Sequence, residues 1–174
     1  HVLRSMARAW EGTSARLLRQ AKGAPADAGL GLVVQAMAVG VGRGECGSGV
    51  IQFASSNTGL PEIHGRYLRQ SQGREALDRQ VGSLYLTKDP RGPSFEETCP
   101  EAFTQLLDYS VLARQRLREE MQIEFTLESG KLTILDAVRI VRSSSAAVHI
   151  AVDLASDGII PREDALMRVD PKAL

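Results

Sequence analysis

The side chains best placed for chemistry lie on two short β-rich runs near residue 130. Gln122-Ile123-Glu124-Phe125-Thr126-Leu127 alternates polar with apolar residues, the period-two pattern of a strand with one buried face. Leu132 to Ala137 follows, with Asp136 near its end. Glu128-Ser129-Gly130-Lys131 joins the runs, and its glycine suits a three-residue loop, a type I turn with a G1 bulge. With that loop Gln122, Glu124 and Asp136 share one face of the hairpin and set two carboxylates and an amide side by side as oxygen acceptors. A two-residue loop would turn Asp136 to the opposite face.

Other reactive residue types lead less far. His1, His64 and His149 are scattered and read as surface or structural histidines. Cys46 and Cys99 form neither a CxxC nor a metal spacing, so two reduced thiols are expected, as in a cytoplasmic protein. The glycines at 42, 44, 47 and 49 lack the GK[ST] ending of a P-loop; they read as a hairpin turn. No catalytic residue is assigned.

The elements that must position these residues are legible from periodicity. The chain has 174 residues, 43% of them apolar, 24% charged and only 5% aromatic, which suits one domain or one compact part of a larger one. Lys plus Arg and Asp plus Glu total 21 each, so no net charge attracts nucleic acid. Lysine appears only at Lys22, Lys88, Lys131 and Lys172, and arginine supplies the rest. No apolar run approaches the ~20 residues of a membrane span. The start in mid-helix suggests a piece of a longer chain.

Residues 2–21 read as two helices broken at Glu11-Gly12-Thr13, the second capped at Thr13 or Ser14. Leu30–Val39, Val50–Ala54 and Ile63–Leu68 read as strands of an antiparallel meander. Ser83–Thr87 is a further short strand candidate. Phe95–Met121 reads as one long helix with Phe103, Leu106, Leu107, Val111, Leu112 and Leu117 along an apolar stripe. Ser144 or Ser145 caps a helix that runs to Ser156 and is closed by Gly158, and Pro161-Arg162-Glu163-Asp164 opens a last short one. The expected class is α+β, an antiparallel sheet covered by helices and followed by a C-terminal helix pair.

Several blocks, in order, resemble pyruvate, phosphate dikinase. AWEGTSA (9–15) and LVVQAMAVG (32–40) are similar to the family's SWNNPRA and VNVQTMVFG. GSGVIQFASSNTG and HGRYLRQSQGRE match its GxGVAFTRNPxTGE and YGEYLxxAQGED. EEMQIEFTLESGKLTILDAV is similar to MQDxEFTxExGKLxxLQTR, and AVHIAVDLASDGIIPREDALMRVDPKAL to the helix pair ahead of the family's linker. Segment 77–95 departs from the pattern. The resemblance implies the C-terminal lobe of an ATP-grasp nucleotide-binding domain over 1–142 and a helical segment leading to an interdomain linker over 143–174. It implies ATP and Mg²⁺ as ligands, and as partners a second ATP-grasp lobe and a phosphohistidine domain that this sequence lacks. Oligomeric state is left open.

By the same resemblance Gln35, Met37 and Val39 lie on the strand bordering adenine. Gln122, Glu124 and Asp136 stand on the metal and phosphate face, with Glu124 and Asp136 as metal ligands. The family's acidic pair reads Gln122 and Glu124 here. Its Gln and Arg pair reads Asp136 and Val138, so an acid and an amide have changed places and a cation is gone. Ala54-Ser55-Ser56 replaces an Arg-Asn-Pro, and Arg66 replaces a glutamate. Arg139 or Arg142 is a substitute for the lost cation. Two readings follow: a nucleotide-binding lobe for phosphoryl transfer to a distant histidine, or a degenerate dikinase-like domain serving as a binding or regulatory module.

Overall fold

The computed structural model describes residues 1–25, 27–73 and 82–169. The end of the HGRYLRQSQGRE block, part of segment 77–95 and the last residues of the C-terminal block lie outside the described residues. The chain divides into two compact units, His1–Met37 and Ala38–Leu174.

The first unit holds α1 (Val2–Glu11) and α2 (Thr13–Ala21). Gly12, extended at φ −63° and ψ 150°, both ends α1 and caps α2, and no side chain caps the second helix as Thr13 or Ser14 was expected to. Trp10 ties the unit together: its indole N–H donates to the Ala28 carbonyl at 3.1 Å, and the Arg19 guanidinium lies 4.0 Å over its ring. The run Leu30–Val39 is not a strand. Val33 and Val34 are 86% and 83% exposed. β-branched residues favour extended backbone, but a strand also needs a neighbouring strand for its peptide groups, and among the described residues no strand pairs with this run.

The second unit is built on a four-stranded antiparallel sheet of β1 (Gly47–Ala54), β2 (Pro61–Arg69), β3 (Met121–Glu128) and β4 (Lys131–Arg139), in the order β2-β1-β3-β4. The segment before β1 is a series of bends, so the glycine turn expected to close a hairpin joins no strand pair. Between β2 and β3 come α3 (Phe95–Thr98) and α4 (Pro100–Leu117); α5 (Ser144–Ser156) and α6 (Arg162–Met167) follow β4. The long helix expected from Phe95 breaks at Cys99 (φ −137°, ψ 62°), because the residue before a proline is pushed out of the helical region. Ser143, one residue earlier than expected, caps α5 by accepting from the Ala146 N–H. The Ser83–Thr87 candidate is reduced to isolated bridges, Leu84 to Tyr67 and Tyr85 to Ser94.

One sheet face carries the core. Ile51, Tyr67, Ile123, Phe125 and Leu127 point to it and pack on Phe95, Phe103 and Leu106. The scarce aromatics concentrate here: the rings of Tyr67 and Phe125 lie 4.6 and 5.4 Å from that of Phe95. Gly49 makes this possible, since a Cβ there would stand 2.6 Å from the Phe125 ring. Beyond Leu107 the expected stripe of α4 is uncovered; Val111, Leu112 and Leu117 are about half exposed (56%, 46% and 51%). A smaller cluster of Ala54, Ile140, Ile150, Leu154 and Ile160 seats α5 and the segment after it.

Candidate functional site

The opposite sheet face is where the polar residues gather. The β3–β4 turn has two residues, not the three expected, with Glu128 paired to Lys131 and φ positive at Ser129 (50°) and Gly130 (83°), a type I′ geometry. Continued regularly, that register would face Glu124 with Leu135 and turn Asp136 into the core face. Instead Phe125 pairs with Ile134 and Glu124 with Asp136, leaving Leu135 as the extra residue of a β-bulge. The bulge reverses the alternation. Glu124 and Asp136 are therefore direct cross-strand partners on the open face, by a different route from the one the turn sequence suggested.

The ladders extend this into two rows of side chains. One runs Asp136, Glu124, Val50, Arg66 across the four strands; the next runs Val138, Gln122, Gln52, His64. Opposite partners sit ~4.5–5.5 Å apart. Glu124 is half-buried and Asp136 exposed, with one Asp136 oxygen accepting from the Ala137 N–H at 2.8 Å. Val138, 45% exposed, faces Gln122 with no charge and no donor.

The far end of the face is closed. Ser48 and Thr126 are buried and joined at 3.0 Å, and Ser48 donates to the Ser71 carbonyl. Residues 38–42 form a strap at this end: the Gln72 amide accepts from Gly40 N–H and donates to Ala38 carbonyl, and the Gln70 amide accepts from the N–H of Gly42 and donates to its carbonyl. The near end is open as a cavity of about 570 Å³ on the β1–β2 side, with Gln52, His64, Arg66 and Gln122 among its lining residues.

Gln35 and Met37 are exposed and lie in the first unit, in irregular chain; Val39 is half-buried at the start of the second. The strand expected to carry all three is not formed. Arg139 and Arg142, expected as substitutes for the lost cation, are engaged elsewhere. Both bind Glu119, Arg142 through two nitrogens at 2.7 and 3.2 Å, and Arg168 joins them at 3.3 Å. Burial works to raise the Glu119 carboxyl, but the arginines and the Glu120 N–H hold it below the ordinary carboxylate range. Sequence reasoning missed this cluster, and it missed Gln52 and His64. The signal was available in the alternation of β1 and β2, which places both on the polar face.

Among the described residues no three His, Cys, Asp or Glu side chains gather as a metal cage, and no helix is long and apolar enough to cross a membrane.

No family model matches the chain. Individual proteins do match it: the chain is 32% identical over 171 residues to pyruvate, phosphate dikinase of Rhizobium meliloti, across 95% of its own length. The chain is similar to pyruvate, phosphate dikinase. The Clostridium symbiosum dikinase is 29% identical over 99% of the chain, and dikinase 2 of Zea mays 26% over 93%. The chain spans 19% of the length of the first two relatives and 18% of the third. This is a divergent dikinase-like sequence, matched over almost all of itself and over about a fifth of those proteins.

Proposed function

We propose that this chain is a nucleotide-binding lobe of the ATP-grasp type within a cytoplasmic dikinase-like protein. Residues up to 142 form the lobe, and 143–174 lead to an interdomain linker. Its open sheet face takes Mg²⁺ and the phosphates of ATP, for transfer of a phosphoryl group to a histidine on another domain. The observation that carries this reading is the register pairing of Glu124 with Asp136, maintained by the bulge at Leu135.

The donor set fits a hard divalent cation. Mg²⁺ prefers oxygen ligands, keeps several waters, and is commonly held by one or two carboxylates together with substrate phosphates. Glu124 and Asp136 would hold it, with the Gln122 amide beside them in the adjacent row. The bound metal supplies charge neutralisation at the phosphates, the main requirement of phosphoryl transfer. The residues of this chain supply position: two rigid strands fix the carboxylates, and the ladder to β1 fixes the strands.

One observation favours a second reading, a degenerate lobe acting as a binding or regulatory module. Val138 faces Gln122 where the resemblance expects arginine, and Arg139 and Arg142 are committed to Glu119. A Mn²⁺ titration in millimolar ATP separates the two. Metal affinity should fall about tenfold in Asp136→Asn, a change of ~1.4 kcal/mol. Equal affinity in the variant and the parent would show the carboxylate pair to be vestigial and leave the module.

A further inference from the structure

The two halves of the open face differ in charge. The carboxylates stand on β3 and β4; on β2 stand Arg66 and His64. Arg66 has an incomplete environment. Its Nε is buried, with no hydrogen-bond partner, and no ion pair joins the guanidinium to Glu124 or to any other described acid. A buried donor on a charged group left without an acceptor costs stability. Arginine is present at this position nonetheless, on the wall of a cavity of about 570 Å³.

On that wall His64 can also donate to an oxyanion, whereas the N–H groups of the Gln52 amide are already engaged. His64 lies one ladder step from Arg66 on the same strand face, and Gln52 faces His64 across the ladder. The Gln52 amide nitrogen is held by the Ala54 carbonyl and the Ser56 hydroxyl at 3.1 and 3.0 Å, so the Gln52 side chain is fixed at the cavity edge. Val50, Leu84 and Tyr85 add apolar surface. The volume lies within the range of small-molecule sites, ~300–1,000 Å³, and exceeds what a single ion fills.

We propose that Arg66 and His64 form a phosphoryl-binding site on the β1–β2 half of the face, which takes the phosphate group of a small phosphorylated molecule. Arginine recognises a phosphate through a fork of two parallel N–H donors. Rotation of the guanidinium toward the cavity supplies that fork and gives the orphaned Nε–H an acceptor. The site requires no metal and no contribution from Glu124 or Asp136, although Gln122 borders the same cavity.

The test is a titration of this chain with inorganic phosphate in the absence of Mg²⁺ and nucleotide, followed by the chemical shifts of backbone amides. Shifts should concentrate at residues 50–52, 64–66 and 83–85. Affinity should fall at least tenfold in Arg66→Gln and stay unchanged in Arg8→Gln, a substitution on an exposed arginine of α1. The melting temperature of Arg66→Gln should equal or exceed that of the parent, because an unpaired buried donor has been removed. Phosphate affinity equal in Arg66→Gln and the parent would overturn the site. So would the same shifts produced by chloride at matched ionic strength.

Discussion

At the scale of single residues the strongest electrostatic feature is Glu119, whose side chain is 5% exposed and bound by Arg139, Arg142 and Arg168. Arg142 follows β4 and Arg168 follows α6, so one carboxylate ties the sheet to the C-terminal helices. Removing one member of such a cluster leaves buried charge uncompensated, at a cost of ~3–5 kcal/mol. Glu119→Gln should therefore lower the unfolding free energy by about 3 kcal/mol at neutral pH. The sign of the pH dependence follows from the depressed carboxyl. Its contribution is complete above the unfolded-state value of about 4.3 and is lost as pH falls through the lower folded value. Denaturant melts of parent and variant should thus differ most at neutral pH and converge in acid. A gap that stays undiminished as the pH is taken well below the unfolded-state value would assign the effect to shape rather than charge.

At the scale of elements, two turns set where strands and helices meet, and both depend on a glycine at positive φ. Gly130 (φ 83°) closes the β3–β4 hairpin, and a Cβ added there would meet no atom within 4 Å, whereas at Gly59 (φ 76°) a Cβ would stand 2.6 Å from the Ala146 carbonyl oxygen of α5. Gly130→Ala should cost only the conformational strain, ~1–2 kcal/mol. Gly59→Ala adds a collision with helix backbone and should cost at least ~1 kcal/mol more. Thermal melts of the two variants give the comparison, and equal losses would mean that the β1–β2 turn does not dock tightly on α5. The hairpin around Gly130 was legible in sequence because alternation marks the first strand, a β-rich run marks the second and Ser-Gly marks the turn. Its loop length was misjudged because a glycine suits both a I′ turn and a G1 bulge. The bulge at Leu135 had no signal of its own, since Leu132-Thr133-Ile134-Leu135 interrupts the alternation without showing which residue is extra. Leu30–Val39 misled for the opposite reason: its composition is that of a strand, and composition does not reveal whether a partner strand exists. The Glu119 cluster joins residues 49 apart in sequence, a distance over which charge patterning carries no information.

At the scale of the whole molecule, the sheet's open face joins two carboxylates on one side to Arg66 and His64 on the other, in a chain whose charges balance at 21 of each sign. A nucleotide triphosphate approaching this face meets repulsion from Glu124 and Asp136 unless a divalent ion lies between them. The cations that could offset its charge are few. Arg139 and Arg142 are bound to Glu119, and Val138 offers nothing. The resemblance places further phosphate ligands on a second lobe, and this chain spans about a fifth of its dikinase relatives. Partial ligation cannot reach tight binding, since ~1 μM already corresponds to about −8.2 kcal/mol after the costs of association are met. Calorimetry on this chain should therefore give a Mg·ATP dissociation constant weaker than ~1 μM, and binding should weaken at least about tenfold further when Mg²⁺ is omitted. The magnesium dependence is the sharper half of the prediction, because it follows from the carboxylate pair alone. A sub-micromolar constant would show that this sheet face holds the phosphates without a second lobe. Binding indifferent to Mg²⁺ would place the nucleotide away from Glu124 and Asp136 altogether.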